Sequence, residues 1–235
     1  MAYQVIVALT TEGSTDIRFL ENIVQQAFEH VSFECTKDIE IIYQTLTTTK
    51  VGQGSFADYV VKAAKEAAEC GATTVAIHSD ADKNSYDERL KYNFVPARDA
   101  VNAAKAKEKD SICDKITPVI PVRMIEAWML ADKEQFCIEV GTTLPYHDLG
   151  IDGNPEQMAD PKNKISSAIR KANEQATHKK PVKNIDISDL YEILGQSLDV
   201  EKLKTQDSYC RLLDEIRALH RSLGLLHQPT IQASE

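Results

Sequence analysis

The sequence has 235 residues, of which 43% are hydrophobic and 27% charged, with a formal net charge of −9. That length and balance exclude a small stapled scaffold and a disordered chain, and allow one large domain or one domain with a helical extension. The acidic balance excludes a uniformly basic coat, so contact with nucleic acid requires a local basic patch or a partner that supplies one. No apolar run approaches the length of a bilayer span, so no membrane association is expected.

In chain order, residues 3 to 9, YQVIVAL, read as a buried strand: short, apolar and β-branched. Residues 15 to 30 carry Ile17, Leu20, Ile23, Val24, Ala27 and Phe28 at helical spacing. IEIIYQTL, 39 to 46, reads as a second strand, and the loop TTTKVGQG leads to a helix from Ser55. Ser55 followed by Asp58 fits a capping box with Asp in the place of Glu. ATTVAIHSD, 72 to 80, is the third strand, and a polar segment with helical stretches covers about 84 to 110. ITPVIPV, 116 to 122, is the fourth, and Pro118 and Pro121 favour an edge position or an early end. RMIEAWMLADKEQF reads as helix, followed by a Gly, Pro and Asp-rich loop over about 141 to 161. Helices are expected at about 162 to 176, 188 to 195 and 205 to 224, and the tail HQPTIQASE reads as frayed.

Strand–helix alternation predicts an α/β fold with a central parallel sheet flanked by helices. The expected division is an α/β core over residues 1–132 and a mainly helical extension over 133–235 packed on it. Ligands of such sheets bind at the carboxyl ends of the strands. Four acids fall on that rim: Glu12 past strand one, Asp80 and Asp82 at and past the end of strand three, and Glu126 in the helix after strand four.

Each acidic motif has a structural and a chemical reading. In TTEGSTD, residues 10 to 16, Asp16 fits a first-turn acid interacting with the helix dipole, worth about 0.3–1 kcal/mol, with Ser14 or Thr15 as cap. Glu12 precedes the cap, and Gly13 permits a turn that brings Glu12 and Asp16 to one rim. Asp80 and Asp82 form Asp-x-Asp, and on an extended segment both side chains point the same way and reach one hard cation. The same pair also fits the side-chain hydrogen bonding of an ordinary turn.

The acid-Gly-x-x-acid step after strand one, with a strand ending in Asp-x-Asp, resembles the TOPRIM domain of topoisomerases, bacterial primases and OLD-type nucleases. The resemblance covers residues 1 to about 130. PVRMIEAWMLAD, 121 to 132, resembles the Glu-Ala-Trp block of a TOPRIM-like bacterial family of uncharacterised function, and DPKNKI, 160 to 165, its following Asp-Pro-Lys element. The resemblance implies a metal-dependent nuclease. Glu12, Asp80 and Asp82 would be catalytic and metal-binding, Asp16 and Glu126 further metal ligands, and Lys162 or Lys164 the lysine near the scissile phosphate. Asp16 stands where OLD-type enzymes carry Glu, and its side chain is shorter. The implied cofactors are Mg²⁺ or Mn²⁺, two ions about 3.5–4 Å apart that stabilise the attacking and leaving oxygens. Crowded carboxylates repel unless cations separate them. The implied partners are nucleic acid, expected to be DNA, and an ATPase protein of a bacterial defence system; an oligomeric assembly is compatible with both. A non-catalytic binding or regulatory subunit on the same fold is the alternative, and a phosphoacceptor domain a third reading.

Residues 162 to 183 hold Lys162, Lys164, Arg170, Lys171, Lys179, Lys180 and Lys183 against Glu174, either a phosphate-contact surface or a solvated face. Trp128 reads as core, and His78 as a satisfied core or rim histidine rather than a general base. Cys35, Cys70, Cys113, Cys137 and Cys210 are scattered, which argues against zinc and disulfide frameworks. With no basic and apolar leader at the N-terminus, that usage predicts a cytoplasmic protein.

Overall fold

The computed structural model describes residues 2–50, 52, 54–108, 111–176 and 185–227. Four strands, β1 (Tyr3–Thr10), β2 (Ile39–Thr45), β3 (Thr74–His78) and β4 (Ile116–Val119), form one parallel sheet in the order β2-β1-β3-β4. β4, the strand with Pro118, lies at an edge as expected. All carboxyl ends therefore share one rim.

Side-chain alternation along the central strands feeds two cores. Val5, Val7 and Leu9 of β1 with Ala76 of β3 enter one cluster. Ala8 with Val75 and Ile77 enter the other. The first cluster is roofed by α1 (Asp16–Ser32), α5 (Ile125–Met129), α6 (Lys133–Val140), α8 (Pro161–Ala176), α9 (Ile187–Ser197) and α11 (Asp207–Ser222). The second is covered by α2 (Phe56–Glu69) and by the run from α3 (Tyr86–Arg89) through a π turn into α4 (Val95–Glu108). Helices on both faces of a parallel sheet are the α/β arrangement expected. The first cluster runs without a break from β1 and α1 into the C-terminal helices, so residues beyond 132 share the core of those before it.

Local signals explain several boundaries. Ser55 caps α2 through the expected box: its Oγ accepts from Asp58 N at 3.2 Å, and Asp58 Oδ2 accepts from Ser55 N at 2.9 Å. The single helix expected over 123–136 is instead two, α5 and α6. Asp132 interrupts it, its Oδ1 accepting from Gln135 N at 3.1 Å to cap α6 afresh. Short α7 (Tyr146–Leu149) and α10 (Val200–Leu203) and a 3-10 turn, Pro155–Gln157, complete the connections.

α9 crosses α1 at unusually close range. A Cβ at Gly195 would lie 2.8 Å from Phe19 O and 2.9 Å from Arg18 O, so only glycine lets the two backbones meet. Among the described residues no helix is long and apolar enough to cross a membrane.

Candidate functional site

The sheet delivers its acids to the rim through short connections. β1 runs out at Thr10, and the Thr11–Gly13 turn, in which Thr11 Oγ1 donates to Gly13 O at 2.6 Å, sets Glu12 above the strand end. The expected hydroxyl cap of α1 is absent: Thr15 makes no side-chain capping bond. Instead Asp16 folds back, its Oδ2 accepting from Gly13 N at 3.0 Å. Glu12 Oε1 accepts from Ser79 Oγ and from Lys50 Nζ, both at 2.7 Å. Lys50 reaches there because its loop is pinned: Thr10 Oγ1 donates to Thr48 O, and the Glu66 carboxylate takes Thr47 N at 2.6 Å and Thr48 N at 2.9 Å.

His78, the last residue of β3, is fully buried. Its Nε2 lies 3.1 Å from Asp80 Oδ1, and its Nδ1 lies 3.5 Å from Asp16 Oδ2. The same Asp80 oxygen accepts from Ile125 N at 3.0 Å, at the start of α5. One residue on, Glu126 is almost completely buried, and its Oε1 accepts from the Tyr191 hydroxyl of α9. Lys162 Nζ of α8 lies 3.5 Å from that oxygen. Glu12, Asp16, Asp80 and Glu126 thus lie along one rim, on or beside β1, α1, β3 and α5; Asp16 feels the charge of Asp80 and Glu12, and Asp80 that of Glu126 and Glu12.

The charges are arranged to compensate. Burial raises the Glu12 carboxyl, but hydrogen bonds from Lys50 and Ser79 outweigh it and hold it below the ordinary glutamate range. Burial pushes Asp16 and Asp80 up, against the pull of His78. Burial pulls His78 down, but the charge and hydrogen bond of Asp80, then Asp16 and Glu12, leave it raised, the direction of a retained proton. Burial and the Glu126 contact push the Tyr191 phenol up, so it stays a donor. A simple pattern runs through the four acids. One oxygen of each is held by protein donors, while Glu12 Oε2, Asp16 Oδ1, Asp80 Oδ2 and Glu126 Oε2 accept no hydrogen bond among the described residues.

Asp82 departs from the expected geometry. The segment is not extended there: Asp82 has φ 56°, in the left-handed region, and Arg123 opposite has φ 68°. Asp82 N donates to Arg123 O at 2.9 Å, locking the two loops together. The Asp82 side chain turns out to 65% exposure and pairs with Arg89 Nη2 at 2.8 Å, so the parallel aim assumed for Asp80 and Asp82 fails. Arg89 also grips the Asp80 carbonyl, which fixes the turn.

Of the two candidate lysines, Lys162 is the one brought to the acids. Lys164 is exposed and lies with Lys171 over Gly150, at the end of α7, where Lys171 donates to Asp148 O. Arg170 pairs with Glu174 at 3.9 Å, and Lys179, Lys180 and Lys183 lie outside the described residues. Trp128 is core, as expected: its Nε1 donates to Ser208 Oγ at 2.7 Å and its ring meets Tyr209 edge-on at 5.5 Å. Among the described residues no group of three or more His, Cys, Asp or Glu side chains is set close enough to hold a metal ion. The His78 ring stands between Asp16 and Asp80, and the Lys50 ammonium stands against Glu12.

Sequence reasoning missed Lys50, Ser79, Tyr191 and the bridging position of His78. Ser79 adjoins the end of β3, a signal open to view, whereas Lys50 lies in the loop five residues past the end of β2. Tyr191 lies 65 residues from Glu126 and carries no local signal.

Fold and rim define an α/β protein with an acidic cluster at the carboxyl edge of a parallel sheet. The family model described as a domain of unknown function (DUF4276) matches residues 11–197, and the chain belongs to that family. The matched span encloses Glu12, Asp16, Lys50, His78, Asp80, Glu126, Lys162 and Tyr191. No curated protein and no solved structure matches the chain.

Proposed function

We propose that the chain is a divalent-metal-dependent phosphodiesterase acting on nucleic acid, with Glu12, Asp16, Asp80 and Glu126 as its metal-binding acids. The observation that carries this reading is the presence of four carboxylates along one rim of the sheet, each with one oxygen anchored and the other accepting no hydrogen bond among the described residues. Carboxylate oxygens are the donors that Mg²⁺ and Mn²⁺ take, a few at a time, and an ion here would have to draw the acids closer than they stand, since no three of them are set to hold one among the described residues. The resemblance of the rim motifs to TOPRIM and OLD-type nucleases supports the same chemistry, as does the basic start of α8 beside Glu126.

Two ions, when bound, would withdraw charge from the attacking and leaving oxygens of the phosphodiester. The chain's own residues do the rest. Ser79 orients Glu12, Ile125 N orients Asp80, and Tyr191 orients Glu126. Lys162, with 57% exposure of its side chain, is placed to meet a phosphate oxygen and to neutralise charge as the bond breaks. Asp82 holds Arg89 and shapes the turn; a metal-ligand role would require it to leave that pair. An ATPase partner and a role in defence rest on the resemblance alone.

The test incubates purified protein with plasmid DNA and with RNA in Mg²⁺ or Mn²⁺. Cleavage is expected to require the metal and to fall by about 100-fold in Glu12→Gln and Asp80→Asn. Cleavage that survives both substitutions would sink the assignment. A second reading, a non-catalytic subunit on the same fold, is favoured by the internal neutralisation of the acids by His78 and Lys50. It predicts no cleavage of either nucleic acid.

A further inference from the structure

We infer that the outer edge of β2 is a self-association surface, where two copies of the chain pair their β2 strands antiparallel and join two four-stranded sheets into one. The two edges of the sheet differ in what guards them. At β4, Pro118 offers no N–H, Arg98 Nη2 donates to Ile116 O at 3.1 Å, and α11 packs alongside. A bare edge strand invites pairing with another chain, and proline, lysine, bulges or a covering element are what prevent it. β2 carries neither proline nor lysine, pairs with β1 in unbroken register, and holds a single charge, Glu40.

Two bonds fix which groups face outward. Tyr3 N donates to Asp38 O at one end of the β1–β2 ladder and Leu46 N to Leu9 O at the other, both at 2.8 Å. Along a parallel strand the two backbone groups of one residue point to one side and those of the next residue to the other. Residues 38, 40, 42, 44 and 46 therefore face β1. Ile39, Ile41, Tyr43 and Thr45 present N–H and C=O outward, where no partner takes them among the described residues. A second copy supplies the complement. Antiparallel pairing about Ile42 sets Ile39 opposite the partner's Thr45 and Ile41 opposite the partner's Tyr43, so every outward group is paired. Charge agrees with this register. Glu40 meets the partner's Gln44, an amide able to donate, whereas a register centred on Glu40 would oppose two carboxylates. Ile42, half-buried and outside both core clusters, meets its own copy on the two-fold axis. The partner's strand ends beside Phe33, which is 88% exposed and with Ile39 borders a hollow at the entry to β2. Because the paired strands run in opposite directions, the acidic rims of the two copies open in opposite directions, as separate sites.

Sedimentation equilibrium of the full chain reads mass against concentration. Wild type is expected to form a dimer that dissociates on dilution. Gln44 is exposed and tests the register with opposite signs. Gln44→Glu sets a second carboxylate against Glu40, twice by symmetry, and is expected to weaken the dimer about tenfold. Gln44→Lys pairs with Glu40 and is expected to tighten it by a similar factor. Both lose the same 3.2 Å contact with Cys70 Sγ, so their difference belongs to the interface. Ile42→Lys opposes two ammonium groups at the axis and is expected to leave a monomer; circular dichroism checks that it folds, and the Gln44 variants decide if it does not. Amide hydrogen exchange is expected to protect Ile41 and Tyr43 only at concentrations where the dimer forms. A wild type that stays monomeric overturns the inference, and protected Ile41 and Tyr43 amides in that monomer would mean that another part of the same chain, or a foreign strand, holds the edge. A dimer indifferent to both Gln44 substitutions and to Ile42→Lys uses another face, and the inference falls equally.

Discussion

His78 and His220 are both fully buried, yet they live in opposite surroundings. His78 stands between Asp16 and Asp80 and is held toward its charged form. His220, on α11, meets the Phe28 ring of α1 edge-on at 6.2 Å, and neither of its ring nitrogens has a hydrogen-bond partner among the described residues. Burial lowers its pKa, against a smaller opposing pull from Glu34. The pair teaches that burial alone does not decide a histidine's charge; the acids within reach do. At the rim, desolvation is offset by carboxylates, and charge is stored. In the α1–α11 interface only the smaller pull of Glu34 opposes it, and the ring serves as an apolar wedge.

The largest expected effect comes from breaking the charged side of this comparison. His78→Leu leaves Asp16 and Asp80 facing each other without a cation. Removing one partner of a fully buried pair costs about 3–5 kcal/mol. Here about 2–3 kcal/mol is expected, because Asp16 and Asp80 keep 22% and 23% side-chain exposure. Urea unfolding measures it, and added Mn²⁺ is expected to recover part of the loss. Next is Gly195→Ala, which asks whether the rim depends on the tight α1–α9 crossing. Its methyl must displace Phe19 O, at a cost of about 1–3 kcal/mol, read by the same titration.

The neutral side is tested by pH. His220 has a folded pKa below its ordinary value. The unfolded chain therefore takes the proton first, and stability present above about pH 6.5 is lost as pH falls below it. His220→Leu is expected to match wild type within about 1 kcal/mol at pH 8 and to unfold less readily at pH 5. A variant with the full acid loss of wild type removes His220 as its source. The smallest effect concerns a carboxylate with no histidine at all. Burial raises Glu66, but hydrogen bonds from Thr47 and Thr48 overcome it and bring its pKa to about 2. Its contribution is present above the unfolded value and is lost as pH falls from about 4.5 toward 2. Glu66→Gln is expected to cost only about 0.5–1 kcal/mol at neutral pH, since the group is half-buried and partly screened by solvent, with the difference closing in acid.

Much of the fold was legible because its signals are local. The buried strand YQVIVAL, the helical spacing after it and the Ser55 box each act within a few residues, and each appears where expected. Two departures are also local in cause. Asp132 had a second use, as a cap that restarts a helix, and the apolar spacing through 123–136 concealed it. Asp82 was read on an extended backbone, but its left-handed turn and the pull of Arg89 carry it outward. The placement of Glu12 and Asp80 at the rim follows from the parallel sheet and was open to reading. Of the partners that tune them, Lys162 was offered only as one of two lysines implied by the resemblance, and Lys50 and Tyr191 arrive from a loop and a helix whose packing no short window records.

The hydrogen bond from Tyr191 to Glu126 also carries a schedule. Chains fold from the N-terminus as they emerge at roughly 5–20 residues per second, so the 65 residues between these partners take roughly 3–13 s to synthesise. During that interval the strands and the rim residues have been made while α9 has not. Glu126 then has neither its tyrosine nor the apolar cover of α9, and a metal centre built on it would be incomplete. α9 therefore closes over Glu126 as a late clasp, fastened only after the strands that carry the rim have been made.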